Sequence, residues 1–283
     1  MSPNIRFGIN VPNFGSVYYD ARTLSNLARD AEEAGWDGFF LWDHMSLDAK
    51  WKIPFVDPWV ALTAIAMMTE RIKVGTLVTP LARRRPWKLA RETVSIDHIS
   101  KGRLILGVGL GMPRDFEDFG EEVDSRTRAE KTDEALDILT GLWTGNEFSY
   151  SGKHYQLRRV VFLPKPVQAP RIPVWLAGMW PNKRPFRRAA HWDGVVPLSV
   201  NYPKDLSPDE LKKIIVYLSR YRLDMMSFDV CVFGTTPCNP EEASKIVQPY
   251  VEAGATWWSE SISDMRGSSE EMRERIRQGP PRI

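Results

Sequence analysis

Asp43 and His44 are the residues of this chain best placed for acid–base chemistry. They follow directly after an uninterrupted run of apolar and small residues, Gly38 to Trp42. Such a run between helical segments is typical of a parallel strand buried on both faces, and the C-terminal ends of these strands carry the active sites of α/β folds. We therefore predict that His44 donates a proton or holds an anion, since histidine is a common acid–base residue of active sites. Asp43 would orient it or bond nearby backbone; the alternative is that His44 only caps a loop.

A glycine-rich segment, Gly107-Val108-Gly109-Leu110-Gly111-Met112, follows another predicted strand. It resembles a dinucleotide-binding fingerprint, but Met112 stands where the third glycine of that pattern belongs. Gly109 and Gly111 instead predict a place where a flat ligand can approach the backbone closely.

The strand before it ends in Thr76 and Thr79, which could offer hydrogen bonds to a ligand, and the alternative is an ordinary strand that closes at Pro80. The loop that follows contains the charge run Arg83 to Arg85. Such a run usually forms a solvated face or an interface cluster of salt bridges. Contact with an acidic cofactor tail is the alternative.

Small residues and cations also meet in the segment Trp175 to Trp180, around the end of a later predicted strand, and at the helix that follows it. A helix N-terminus with nearby cations suits a phosphate group, although a solvated turn is the alternative. The predicted cofactor-binding residues here are Ala177, Gly178, Met179, Trp180 and Arg184.

Strand and helix patterns alternate along the chain in eight units. Eight is the number that closes a barrel, so the pattern predicts a single α/β domain over residues 1–283, a (β/α)8 barrel, with a doubly wound open sheet as the runner-up. A hairpin and a proline-rich stretch form a short insertion between units four and five. The predicted strands are Arg6 to Val11, Gly38 to Trp42, Ile72 to Val78, Leu104 to Gly109, Val174 to Ala177, Gly194 to Pro197, Phe228 to Phe233 and Thr256 to Ser259.

Composition excludes several classes of function. The 38 basic and 36 acidic residues nearly balance, which gives no support for nucleic acid or an anionic membrane as the partner. The N-terminus lacks the apolar segment of a signal peptide, no run is long enough to span a bilayer, and the two cysteines form no disulfide framework, so we expect a cytoplasmic protein. No metal-binding or serine-hydrolase motif is present.

Taken together, these segments resemble the bacterial luciferase-like flavin oxidoreductases. The resemblance covers most of the chain and rests on the order of individually weak motifs. These are Ala34 to Asp37 leading into Phe40 to His44, Thr69 to Thr76, Ser100 to Gly109, Phe116 to Gly120 with the helix after it, and Pro164 to Trp175.

The resemblance implies a barrel that binds FMN or the deazaflavin coenzyme F420, with the ring over the C-terminal mouth. It also implies a non-prolyl cis peptide behind the ring, which maps to Thr76-Leu77, and a phosphate site at Ala177 and Gly178. Relatives that oxidise sugar phosphates carry a glutamate where this chain has Met112, so that reaction is not expected. The reactive cysteine of the luciferases is also absent, so light emission is not supported.

The resemblance favours F420, because the deazaflavin members of the family are often of about this size and commonly carry Asp-His at the end of strand 2. We therefore expect hydride transfer from or to F420 on a small organic substrate. An FMN-dependent monooxygenase using O2 and a non-catalytic flavin-binding barrel are the alternatives. An apolar pocket is predicted from Trp42, Met112 and Trp257, next to Met179 and Trp180. The family usually dimerises through helices, which here implies a homodimer through Trp59, Met67, Met68, Trp87 and Leu89.

Overall fold

The computed structural model describes residues 5–201 and 205–283. Eight parallel strands close into a barrel in the order β1-β10-β9-β8-β7-β4-β3-β2, with helices between them, which confirms the predicted (β/α)8 fold. The barrel strands are β1 Arg6–Val11, β2 Gly38–Leu41, β3 Lys73–Pro80, β4 Leu104–Gly109, β7 Val174–Trp180, β8 Gly194–Ser199, β9 Asp229–Gly234 and β10 Trp257–Ser261. The fifth and eighth barrel strands therefore run about three and two residues farther toward the mouth than predicted.

The helices begin where the sequence supplies caps. Asp20, Asp57 and Asp124 accept hydrogen bonds from backbone N–H groups of the first helical turns, and Ser207 and Ser268 form capping boxes. The helices are α1 Ala21–Glu33, α2 Pro58–Met68, α3 Pro86–Ile99, α4 Arg114–Glu117, α5 Ser125–Trp143, α6 Lys183–Ala189, α7 Pro208–Leu218, α8 Pro240–Glu252 and α9 Ser269–Arg277. Short 3-10 turns cover Ala49–Trp51 and Leu81–Arg83. Sequence periodicity missed α4 and these turns because each is too short to show a period.

The insertion is the antiparallel hairpin of β5 Glu147–Ser151 and β6 Gln156–Val161. It packs on the outside of α5, where Gly141 leaves the space that the Phe148 ring fills. The Glu134 carboxylate accepts backbone hydrogen bonds from Lys153, His154 and Tyr155, which fixes the hairpin turn to the same helix.

The inside of the barrel is filled by apolar side chains below the mouth. Trp175 and Trp257 meet edge to face with ring centroids 5.3 Å apart, and Phe40 contacts both. Trp257 is the first residue of β10, and its indole N–H donates to Asp229 at the start of β9. The prediction that Trp257 lines the substrate pocket is therefore wrong, because it lies at the opposite end of the strand from the mouth.

Above this cluster, toward the mouth, lie the partly buried side chains Val78, Ala177 and Phe233. They come from three different strands and form an apolar floor. None of the helices in the described parts of the chain has both the length and the apolar character to cross a membrane.

Candidate active site

His44 lies directly beyond the end of β2 and is held from two sides. Its Nδ1 is 2.8 Å from Oδ2 of Asp115. Its backbone N–H donates to the Asn13 side chain at 3.1 Å, and its carbonyl accepts from the Asn13 amide at 2.9 Å. The imidazole keeps 20% of its side-chain surface exposed, so one edge remains accessible at the mouth.

Asp115, in the short helix α4, orients His44. Its side chain is 1% exposed and also accepts the backbone N–H of Met45 at 2.9 Å. Burial by itself raises the pKa of the Asp115 carboxyl, but the hydrogen bond and charge of His44, with the Met45 N–H and Arg83, outweigh burial and lower it. An ionised Asp115 carries no proton, so Nδ1 of His44 must be the donor and Nε2 is left for chemistry.

The sequence did not identify Asp115 or Asn13 as functional residues. Asp115 lies two residues after Pro113, in a polar segment that follows the glycine turn at Gly111. A proline followed by acidic residues is a sign of a helix start, and this was the one clue to α4.

Asp43 does not pair with His44, although the two are adjacent in sequence. Its fully buried carboxylate accepts from Thr79 at 2.8 Å and from Arg83 and Arg84 at 2.6 and 2.9 Å. The predicted catalytic role of Asp43 is therefore replaced by a structural one: it joins the end of β2 to the loop after β3.

The same contacts show that the arginine run, Arg83 to Arg85, does not form the solvated face that such runs usually form. Arg83 and Arg84 are only 7% and 16% exposed at their side chains, whereas Arg85 is exposed. Burial lowers the pKa of Arg84, but Asp43 and Asp57 more than offset this effect and the pKa is raised. Arg83 also approaches Asp115 at 3.6 Å, so one arginine links the Asp43 cluster to the partner of His44.

The end of β3 forms part of the floor. A non-prolyl cis peptide joins Leu77 to Val78, one residue later than the expected Thr76-Leu77 position. Leu77 and Val78 both pack on the interior cluster. Thr76 is fully buried and donates its hydroxyl hydrogen to the Gly107 carbonyl at 3.1 Å, so its predicted hydrogen bond to a cofactor is not available.

Gly109, the last residue of β4, and Gly111, in the turn after it, have different roles. A side chain on Gly109 would collide with Val78, so this glycine leaves the space that Val78 occupies. Gly111 has a φ of +73°, and a Cβ there would lie 2.8 Å from Pro80, which identifies a tight turn rather than a ligand contact. Arg128 holds this turn by donating to the carbonyl of Gly111 at 3.0 Å.

The predicted phosphate region divides between two faces of β7. Ala177 faces the barrel interior, whereas Gly178 faces α6, where a Cβ would lie 2.9 Å from Pro185. Trp180 packs edge to face on Phe186 of α6 at 5.5 Å, so it supports the helix instead of lining the mouth. The other two predicted residues are solvent-accessible: Met179 is 42% exposed and Arg184 is exposed on α6.

An aromatic wall surrounds the exposed edge of His44. The rings of Trp42 and Phe14 lie 5.9 and 6.0 Å from the imidazole, and Phe14 packs on Phe55 at 5.1 Å. The Trp42 indole N–H donates to Asn10 at 3.1 Å, which fixes the ring. Trp42 thus lies where a substrate pocket was predicted. Met112, which was predicted for the same pocket, is 54% exposed in the loop after β4.

In the described ranges, 5–201 and 205–283, no cluster of three or more His, Cys, Asp or Glu side chains could hold a metal ion. The two cysteines are unbridged, with Cys231 buried and Cys238 exposed.

Several known proteins are similar to this chain in sequence. An uncharacterised protein of Mycobacterium tuberculosis is 31% identical over 212 residues, which cover 68% of this chain and 72% of the relative. An F420-dependent glucose-6-phosphate dehydrogenase of Microbacterium testaceum is 29% identical over 64% of this chain, and the match spans only 53% of that enzyme.

The fold also matches a solved structure. The F420-dependent tetrahydromethanopterin reductase of Methanopyrus kandleri superposes with a TM-score of 0.79 over 97% of this chain and 96% of that chain, at 15% identity. A family model described as luciferase-like monooxygenase matches residues 5–280. The chain therefore belongs to the luciferase-like monooxygenase family.

Proposed function

We propose that this protein is an F420-dependent oxidoreductase that transfers hydride from or to the deazaflavin on a small organic substrate. The observation that carries the proposal is His44, which Asp115 and Asn13 orient and which is partly exposed just beyond the end of β2. The similarity to F420-dependent proteins in both sequence and fold supports the choice of cofactor.

The floor fits a planar tricyclic ring. Val78, Ala177 and Phe233 are partly buried apolar side chains on three strands, and Gly109 adds no side chain that would rise above them. A flat ring covers such a surface with little loss of polar hydration. When bound there, the deazaflavin would supply the hydride donor or acceptor, which no side chain can provide.

His44 would handle the proton that accompanies the hydride. When an alcohol carbon loses hydride, the hydroxyl must lose a proton, and the reverse reaction needs a proton donor at the same oxygen. With Nδ1 held by Asp115, Nε2 can accept or return that proton. The aromatic wall of Phe14 and Trp42 would exclude water from this step and favour an apolar substrate.

A phosphate group of the cofactor would lie near Ala177, Gly178 and the start of α6. Gly178 lets α6 pack closely on β7, and the Asn182 side chain does not cap the first backbone N–H groups of this helix. Arg184 adds an exposed cation on the same short helix.

One alternative is an FMN-dependent monooxygenase that uses O2, and the monooxygenase description of the family favours it. The same floor and histidine would serve a flavin ring. A non-catalytic flavin-binding barrel is the other alternative, and it predicts ring binding without turnover.

Titration of the purified protein with F420 and with FMN, followed by ring fluorescence, tests the proposal. We expect micromolar or tighter binding of F420 and weaker binding of FMN. Stronger binding of FMN, with O2 consumption in the presence of reduced flavin, would favour the monooxygenase. Binding of neither ring would refute both proposals. A panel of small alcohols and carbonyl compounds then separates an enzyme from a non-catalytic barrel.

A further inference from the structure

Arg83 lies between two buried carboxylates and makes hydrogen bonds to only one of them. Its Nη2 donates to the Asp43 carboxylate at 2.6 Å and to the Asp43 carbonyl at 2.9 Å. Its Nη1 lies 3.6 Å from Oδ1 of Asp115, which is close enough for an ion pair but too far for a hydrogen bond. All three side chains are buried, so these charges interact away from water.

The Nη1 group of Arg83 is a buried donor without a hydrogen-bond partner among the residues that the structure describes. A buried charged donor that lacks an acceptor is costly, so its position needs a physical reason. The contacts of Nη2 hold the guanidinium beside Asp115, and its charge then stabilises the ionised form of that carboxylate. Asp115 therefore has a cationic neighbour whether His44 is neutral or protonated.

This cationic neighbour determines where the proton of the His44–Asp115 pair lies. A buried carboxylate bonded to an imidazole could itself take up the proton, and Nδ1 would then become the acceptor and Nε2 the donor. The cation opposes this change, because protonation of Asp115 would leave the Arg83 charge beside a neutral carboxyl group. The pair thus keeps its hydrogen on Nδ1, and Nε2 stays free to accept a proton at the mouth.

The other charged groups around the pair bind one another. The Asp43 carboxylate faces Arg83 and Arg84, and Asp118, in the turn after α4, faces Arg114 at 3.8 Å. On the side of the mouth, the imidazole has the uncharged rings of the aromatic wall as neighbours. The balance of charge at the pair is therefore set by the guanidinium of Arg83.

We infer that Arg83 is a positioning residue of the reaction, because it keeps Asp115 ionised and so keeps Nε2 of His44 free as the proton acceptor. The inference rests on the proposed function, since it assigns a use to the proton that accompanies hydride transfer. Arg83 acts through Asp115, because its own contacts are with the two carboxylates and the Asp43 carbonyl.

Nitrogen-15 NMR of the histidine rings in the protein without cofactor tests the inference. The chemical shifts of the ring nitrogens report both the tautomer and the gain of a proton. The chain has four histidines, and loss of signals in His44→Ala assigns those of His44. We expect hydrogen on Nδ1 in wild type. In Arg83→Gln the pair loses its opposing cation, so the pH at which it binds a proton should rise by about one pH unit and the Nε2–H tautomer should increase.

Two variants serve as controls. Arg84→Gln removes a cation that binds the same Asp43 carboxylate but otherwise pairs with Asp57. The titration of His44 should therefore not move in this variant. Arg83→Lys retains the charge and should keep most of the wild-type titration and tautomer. Circular dichroism establishes that each variant is folded.

A second measurement needs no variant of Arg83. The side-chain carbon-13 signal of Asp115, assigned by its loss in Asp115→Asn, should keep the chemical shift of an ionised carboxylate while His44 gains its proton. If this signal changed together with those of His44, Asp115 would be taking up the proton itself, and the inference would be overturned.

Equal titrations in Arg83→Gln and wild type, or equal shifts in Arg83→Gln and Arg84→Gln, would also overturn it. The proposed function fails separately, when neither F420 nor FMN binds, because the NMR samples contain no cofactor and still report on the His44–Asp115 pair. With an active enzyme, the low-pH limb of kcat/KM for alcohol oxidation should move in Arg83→Gln by the same amount as the NMR titration.

Discussion

At the scale of single residues, Asp115 determines what His44 can do. A histidine at a strand end has two ring nitrogens, and its chemistry depends on which of them is free. The buried carboxylate of Asp115 binds Nδ1 at 2.8 Å and leaves Nε2 at the mouth. Asp43, the sequence neighbour, is bound to Arg83 and Arg84 instead.

Asp115→Asn should therefore lower kcat without removing the cofactor. An amide can donate to Nδ1 and so favour the wrong tautomer, and we expect a loss of about ten- to a hundredfold. His44→Ala should cost about a hundredfold or more. Steady-state kinetics on an identified substrate, with F420 affinity measured in parallel, checks both. Unchanged turnover in His44→Ala would remove the histidine from the mechanism.

The stability contributed by Asp115 should depend on pH. Its pKa is lowered in the folded protein, so the unfolded state binds the proton first as pH falls. The stabilisation is fully present above the ordinary aspartate pKa of about 4 and is lost as pH falls through the folded value. Urea unfolding of wild type and Asp115→Asn should show a difference in free energy that is largest near pH 7 and shrinks below about pH 4. If the free-energy difference between the two proteins grew as the pH fell, the pKa of Asp115 could not be lowered in the folded state.

At the scale of elements, buried charges join the end of β2 to the loop after β3. Asp43 is fully buried and meets two arginines and Thr79, so one carboxylate satisfies donors from two segments. Arg83 extends the link to Asp115 in α4. The position of His44 thus depends on contacts among three segments: the end of β2, the loop after β3 and α4.

Asp43→Ala should destabilise the protein by about 3–5 kcal/mol, because it leaves two buried arginines without their carboxylate. Urea or thermal unfolding measures the change. The matched control is Arg85→Ala in the same run, which removes an exposed charge and should change stability by less than about 0.5 kcal/mol. Similar small effects in both variants would show that the contacts of Asp43 with Arg83 and Arg84 contribute little to the stability of the protein.

At the scale of the whole molecule, an exposed apolar face lies on α2 and the start of α3. Met67 is 73% exposed, and Met68 and Trp87 are also exposed, as a dimer interface would require. Trp59 and Leu89, which were expected on the same interface, are buried in the core instead. Val60, not predicted, adds to the exposed face.

We expect a homodimer through this face, since monomeric proteins rarely expose a large continuous apolar patch. Light scattering should give twice the mass of the chain. Met67→Glu should shift the protein toward monomer, whereas Met226→Glu, at an exposed methionine in the loop after α7, should not. A monomeric wild type would refute the prediction.

The sequence by itself determined the barrel, most element bounds and the location of the mouth. Buried strands and amphipathic helices leave patterns of local period, and caps such as Asp57 and Ser268 act within a few residues, so these features are legible along the chain. His44 and Trp42 were located correctly for the same reason: they follow a strand directly.

Only the tertiary structure decided which side chains meet. Asp115 reaches His44 from 71 residues away and Arg84 reaches Asp43 from 41, and no local pattern reports contacts at such separations. Side-chain direction was equally invisible: Thr76 and Trp257 lie on predicted strands and Trp180 lies three residues beyond one, but all three face away from the mouth or lie below it. Strand order, register and the close packing at glycines set those directions, and they exist only once the barrel has closed.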